Sequence, residues 1–368
     1  MISSADRAGI FSRLSRCMQR RVLWLLAGTY ALAAFCPAPG LWLRAVTLGR
    51  ISFSGEALRI TAPTLMLAFL LFNAGLTIRL DELRDLLRRP LPLAIGLFFN
   101  LTLPVGYVAA AILLMRTCHP PEVDELQDML GGLAFIACVP VAGSSTAWAQ
   151  NADGDMPLSV GLVIFSTVLA PLAGPLSLSC LRPFAIGGYA VGLQRLGTAS
   201  GAVLLITSVL LPASAGVAAH RLLAPGRAGR TLPVLKTLNV VTLLLLNYAN
   251  AAVALPRLTL DPDSHFLTTA IALALGLCLV LFGTGRMLAS LCHLRRDQGI
   301  SLMFGLGMSN NGTGLVLATT ALPQYPRVVL PILIYNLVQH LVAGAAQRML
   351  GRHPADQLCR CQSKQSDS

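Results

Sequence analysis

The 368-residue chain is 55% apolar and only 12% charged, and its apolar residues come in blocks of about twenty, the length that crosses a hydrocarbon core. A soluble core of this size is interleaved with charge, so a soluble globular fold is excluded. The net charge of +12 does not signal a nucleic-acid partner, because the positive residues are spread between the apolar blocks as a topology signal.

Ten spans are predicted, giving an all-α membrane protein with a lipid bilayer as its first partner. Residues 1-21 form a basic N-terminal segment. The first span runs from Val22 to Pro37. A basic stretch before an apolar run also describes a secretory signal, and Ala33-Ala-Phe-Cys36 hints at a lipoprotein cleavage site. Phe35 stands where a small residue is required before the cysteine, so this block is read as a span. Four more follow, from Pro63 to Ile78, Leu91 to Leu114, Gly131 to Gln150 and Pro157 to Ser177. Asp81 to Arg89, between the second and third, alternates charge and leucine at helical spacing and fits a membrane interface.

The stretch from Leu181 to Thr198 carries Pro183 and Gly187, Gly188, Gly192 and Gly197, and reads as a connector, residues 181-199, between two five-span halves, 22-180 and 200-347. The second half has spans from Gly201 to Ala219, Val234 to Leu255, Phe266 to Gly285, Ile300 to Leu322 and Val328 to Ala346. Residues 348-368 are a polar tail. Five spans per half invert the second half relative to the first. With the N-terminus in the cytoplasm, 20 of the 28 Lys and Arg fall on the cytoplasmic side, the expected positive-inside bias of an inner-membrane protein with both termini cytoplasmic.

The fourth and ninth spans are each broken midway by small and polar residues, Pro140-Val-Ala-Gly-Ser-Ser-Thr146 and Gly307-Met-Ser-Asn-Asn-Gly-Thr-Gly314. Backbone that leaves a helix in hydrocarbon must face protein or a wet cavity, and paired interruptions point to a transporter's binding site. Ser144, Ser145 and Thr146 can cap a new half-helix after Pro140, and Ser309, Asn310 and Asn311 repeat the arrangement in the ninth span. Free amides and the positive dipole end would then face a cavity. Asn247 and Asn250 share one helical face, as do Asn336, Gln339 and His340, and either stripe can line a cavity. For His340 a neutral packing role outweighs a proton relay.

All 16 acidic residues fall outside these spans on this reading, and Asn151 to Asp155 is too short for a calcium loop. No hydrolase, metalloprotease or phosphate-loop motif appears, so no catalytic residue, resident metal or cofactor is expected. The nine cysteines are mostly single residues, and for those within spans, Cys36, Cys138 and Cys278, a small buried apolar role is expected. Cys359 and Cys361, near His353, sit in the polar tail.

The chain resembles the bile acid:sodium symporter family of ten-span secondary transporters. The likeness is carried by Asn73-Ala-Gly-Leu-Thr77, Pro90-Leu-Pro-Leu-Ala-Ile-Gly96, the Pro140 to Ser159 segment ending Gly154-Asp-Met-Pro-Leu-Ser159, Ser166-Thr167 and Gly307-Met-Ser-Asn310. The resemblance implies inverted repeats forming a panel domain from spans one, two, six and seven and a core domain from the rest. It also implies that the fourth and ninth helices cross where they unwind, with substrate between the domains.

Carried over residue by residue, the family's sodium ligands are incomplete. Ser145 and Ser159 match hydroxyl ligands, but Thr146 stands for an Asn, Val163 for a Thr, and Asn100 for a Gln. Gly305 stands where the family has a carboxylate shared by both sites, and Ser309 replaces a Gln. The expectation is therefore transport of a small amphipathic organic anion or acid by alternating access, with Na+ coupling doubtful. The alternative is a non-transporting membrane receptor on the same scaffold.

Overall fold

The computed structural model describes residues 21–53, 56–76, 90–118, 122–222, 225–260 and 263–350. The basic residues before Arg21, the alternating segment 81–89 and the tail with Cys359 and Cys361 lie outside them. Helix α1 (Val22–Phe35) ends at Cys36-Pro37, where proline removes the next amide donor, and α2 (Ala38–Ala45) leaves at 92° to it. A hairpin of β1 (Thr47–Phe53) and β2 (Glu56–Thr61) follows, antiparallel and in register from Phe53 opposite Glu56 back to Gly49 opposite Ile60, with a bulge before Thr47 pairs with Thr61. No strand was expected here. The alternation of Ile51 and Phe53, then Leu58 and Ile60, is the period-two signal a search for long apolar blocks passes over.

The helices continue as α3 (Ala62–Leu76), α4 (Leu91–Cys118), α5 (Val123–Ala137), α6 (Ser144–Asn151) and α7 (Met156–Leu181). A 3-10 turn (Arg182–Phe184) leads to α8 (Gly187–Leu196) in the connector. Then come α9 (Ala199–Leu205), a π turn (Ile206–Leu210) and α10 (Leu211–Leu222), which read together as one apolar stretch. Helices α11 (Pro225–Leu260), α12 (Ser264–Leu291), α13 (Arg296–Gly307) and α14 (Asn311–Ala321), a 3-10 turn (Pro326–Val328) and α15 (Val329–Leu350) complete the chain. Among the described residues, six stretches are long and apolar enough to cross a bilayer, or seven with the bent pair α1 and α2. The protein is an all-α, multi-pass membrane protein.

Two packing groups are evident. Helices α1, α2, α3, α10 and α11 lie together, and α4 to α7 pack with α12 to α15. In the first group, Gly75 and Gly216 let α3 and α10 approach until a Cβ on either would overlap the partner's backbone, the close approach that small residues permit in membranes. His220 Nδ1 lies 2.8 Å from the Leu76 carbonyl at the same crossing. In the second group, Asp155 caps α7 by accepting from the Leu158 amide at 3.0 Å and pairs with Arg295 at 2.9 Å. The Ser301 hydroxyl donates to the Asp155 carbonyl at 2.7 Å, so the starts of α7 and α13 are tied.

The sequence reading is corrected at α5. It begins at Val123, eight residues before the expected start at Gly131, and is buried without interruption from Leu126 to Ala137. The acidic residues ahead of Gly131 are therefore mostly helical, and Asp128 among them is buried. Asp124 and Glu125 in the first turn are favoured by the helix dipole, which charge-based span limits do not take into account.

Candidate functional site

Helices α5 and α13 both stop at mid-chain breaks, and the two breaks meet. Val141 and Ser309 form an isolated antiparallel bridge. The Ala142 amide donates to the Met308 carbonyl at 2.8 Å, and the Asn310 amide to the Pro140 carbonyl at 2.9 Å. Each break is also met by side chains from the long helix that follows its second half-helix, α7 for the first break and α15 for the second. The Val141 amide donates to Ser166 Oγ of α7 at 3.1 Å, and the Ser309 amide to Gln339 Oε1 of α15 at 3.1 Å. The Tyr335 hydroxyl donates to the Gly307 carbonyl at 3.1 Å. The free amides expected at the breaks are thus largely taken, because unwound backbone in an apolar interior needs partners.

Around this crossing the expected residues divide. Ser144 is exposed on α6, and Thr146 is half-buried, its hydroxyl donating to the Gly143 carbonyl at 2.8 Å. Asn310 is half-buried and caps α14, accepting from the Thr313 amide at 3.3 Å. Ser145, Ser309 and Asn311 are buried. The polar surface at the crossing is therefore offered by Ser144, Thr146 and Asn310. Ser145 Oγ, Ser159 Oγ, Thr313 Oγ1 and Asn311 Oδ1 are buried with no hydrogen-bond partner among the described residues.

Asn247 joins the crossing through a network. Its Oδ1 accepts from the Tyr30 hydroxyl and from Asn336 Nδ2, each at 3.0 Å. Asn336 Oδ1 in turn accepts from Gln339 Nε2 at 3.3 Å and Asn311 Nδ2 at 3.4 Å. Tyr30 and Asn247 belong to one packing group and the other three residues to the second, so carboxamides bridge the groups. Asn250 is not part of this. Its Oδ1 accepts instead from Arg44 Nη1 at 2.7 Å.

Asn100 lies on α4, where it lines a small cavity of about 40 Å³ with Cys138, Pro140, Ser166 and Ser177. His340 is buried, its Nδ1 without a partner among the described residues, and its ring lies 6.3 Å from that of Trp148. Sequence reasoning missed Tyr30 altogether. A lone tyrosine in an otherwise aliphatic span carries the signal, since a buried hydroxyl seeks a partner.

The arrangement holds no nucleophile and base pair, and no cluster of metal ligands occurs among the described residues. Interrupted helices paired at their breaks inside a multi-pass helical protein define a membrane transporter. The model of the Sodium Bile acid symporter family matches residues 64–258, more than half of the chain, and the chain belongs to that family. The family consists of transporters and not enzymes.

Three relatives are similar along the chain. The uncharacterized protein YbaS of Bacillus subtilis (strain 168) is 27% identical over 286 residues, 77% of this chain and 87% of its own length. The uncharacterized sodium-dependent transporter YocS of the same organism is 24% identical over 309 residues, 83% and 88%. The ileal sodium/bile acid cotransporter of Homo sapiens is 24% identical over 161 residues, 43% and 42%.

Proposed function

We propose that this protein is a ten-span transporter of a small amphipathic organic anion or acid, working by alternating access between two inverted five-helix repeats, 22-180 and 200-347, joined by the connector 181-199. The observation that carries this reading is the antiparallel pairing of the breaks at Val141 and Ser309. It puts the N-terminal ends of two half-helices, α6 and α14, beside one another, where their dipoles favour a negatively charged group. Ser144, Thr146 and Asn310 meet the substrate's polar end. Ser145, Ser309, Asn311 and Asn247 support that surface from behind.

The packing supports a movable boundary. Helix α14 packs on α3 and α11 of the first group, whereas the principal neighbours of α6 are α7, α13 and α15, all in its own group. Gly143, Ser144, Ala147 and Gln150 are exposed on the α6 side. The α14 side is closed, with the Tyr30–Asn247–Asn336 network across it.

Strong sodium coupling does not fit these residues. A desolvated cation needs several oxygens and usually a buried carboxylate, and the chain has Gly305 and Val163 at two of the family's ligand positions. Ser145 and Ser159 keep unpaired hydroxyls, enough for one weak neutral site. Facilitated or proton-linked movement is the reading that follows. The test is uptake and counterflow of a panel of amphipathic organic anions in proteoliposomes, preceded by a thermal-stabilisation screen, since a native-state binder raises apparent stability. Native-state binding with neither uptake nor counterflow would replace the transporter reading with a receptor.

A further inference from the structure

Asp128 is the one buried acidic side chain among those the structure describes, 4% exposed, and the proposed transport site makes no use of it. Three elements meet on it. The Tyr189 hydroxyl of α8 donates to Oδ1 at 2.8 Å, and Arg327 Nε, from the turn that enters α15, lies 3.7 Å from Oδ2. The Tyr189 ring stacks on Tyr325 at 3.9 Å between centroids, and the Arg327 guanidinium lies 4.3 Å over the Phe266 ring, so aromatic faces shield the carboxylate from water.

We propose that the Asp128 carboxylate, set between the Tyr189 hydroxyl and the Arg327 guanidinium, is a reversible proton-binding site whose occupancy sets how firmly α5 grips the turn that enters α15. Removing one charge from a buried pair ordinarily strands the other. Here neither partner is stranded. Arg327 makes its shorter contact, 2.6 Å, with Asp263 Oδ2, and keeps it when Asp128 is neutral. The Tyr189 hydroxyl can accept as well as donate, so a protonated Asp128 keeps that bond with its direction reversed. What disappears on protonation is the charge attraction between α5 and the turn.

The remaining charged neighbours favour this assignment. Asp124 and Glu125 on α5 repel the ionised form, while Glu125 is itself 3.0 Å from His265 Nδ1 on α12. Arg116 of α4 points to the Phe184 carbonyl, 2.6 Å away. Burial, the largest influence, outweighs Tyr189 and Arg327 and pushes the Asp128 carboxyl up to about 6. Asp263 is held below the usual carboxylate range by the Phe266 amide it accepts and then by Arg327, so it remains charged. Helix α5 ends at Ala137 and runs into the break at Pro140, so the grip acts on the far end of a half-helix that forms the crossing.

The test is infrared difference spectroscopy of the full chain in nanodiscs, titrated from about pH 8 to about pH 4. The expected result is a carbonyl-stretch band of a protonated, buried carboxylic acid with a midpoint near pH 6, absent from Asp128→Asn and retained in Asp124→Asn. No such band in the native chain, or its persistence in Asp128→Asn, overturns the site. Should Asp128→Asn not fold, Tyr189→Phe serves instead. Losing a donor to the ionised form, it moves the midpoint upward, and an unmoved midpoint refutes the assignment. Any effect on solute movement rests on the transport reading, whereas the titration is read without a substrate.

Discussion

Leu162 Cδ1 lies 2.6 Å from where a Cβ on Gly305 would stand. The position at which the resemblance would place a carboxylate is thus faced by hydrocarbon, part of a cluster of Leu93, Leu158, Leu162 and Leu302. Two outcomes are expected. Exchange of sodium for choline at fixed pH and potential leaves initial uptake within about twofold. Gly305→Glu alone lowers the apparent melting temperature instead of restoring coupling, because it overpacks the site and buries an unpaired charge. Tenfold stimulation of the native protein by millimolar sodium, about 1.4 kcal/mol of coupling, would show that neutral oxygens suffice.

At the crossing, Ser144→Leu and Asn310→Leu are expected to reduce uptake at least tenfold with near-normal membrane insertion. Ser144 is exposed, and Asn310 forfeits only a helix cap, about 1 kcal/mol. Ser145→Leu is a different experiment, since Ser145 is fully buried and added bulk costs about 1–3 kcal/mol. Uptake assays paired with size-exclusion profiles separate the cases. Normal uptake by both Ser144→Leu and Asn310→Leu would move the site away from the breaks.

The bridge between the packing groups gives a graded pair of variants. Tyr30→Phe removes a donor to Asn247 and an acceptor from Asn336, while Asn247 and Asn336 keep each other, so a loss of about 0.5–1 kcal/mol is expected. Asn247→Leu takes away the acceptor shared by the Tyr30 hydroxyl and Asn336, leaving those two only their bond to each other, and is expected to cost about 1–3 kcal/mol. Thermal denaturation in micelles ranks them. The reverse order would show that the network does not hold the α14 side closed.

For Asp128 the sign of the pH effect is opposite to that of a salt-bridged carboxylate. Its folded pKa is raised, from 3.8 to about 6, so the native state binds more protons than the unfolded chain. Stability then falls as pH rises between about 4 and about 6, by up to about 3 kcal/mol, and levels off above. Asp128→Asn flattens that window. A native profile that rises with pH there contradicts the assignment.

Much of this was legible in the sequence, and the limits are physical. The two breaks were found because Pro140 and the glycines around Ser309 interrupt apolar runs that tolerate few interruptions. Which groups would satisfy them was not legible, since Ser166 and Gln339 are brought in by tertiary packing. Asn247 and Asn250 share a helical face, yet only Asn247 meets the crossing, because Asn250 Oδ1 is taken by Arg44. The burial of Asp128, which the reading left outside the spans, was not legible, because the side chains of Tyr189 and Arg327 that meet it are brought in by tertiary packing.

Orientation can be checked at residues whose exposure is now known. Glu125 is a poor probe, because it is half-buried against His265. Glu122→Cys, at an exposed position, is expected to react with an impermeant thiol reagent in intact cells, and Arg348→Cys only after permeabilisation. The reverse pattern inverts the topology.

The pairing of Val141 with Ser309 also bears on how the chain is made. Some 170 residues separate the two breaks in synthesis, and until the second emerges the first has no strand to pair with. Bare peptide groups in hydrocarbon are too costly to wait there. The earlier half must therefore linger in the insertion machinery, or in a wetter conformation, until its counterpart arrives. Neither half is expected to survive as a separate polypeptide, and co-expressed halves should be rescued from proteolysis only by each other.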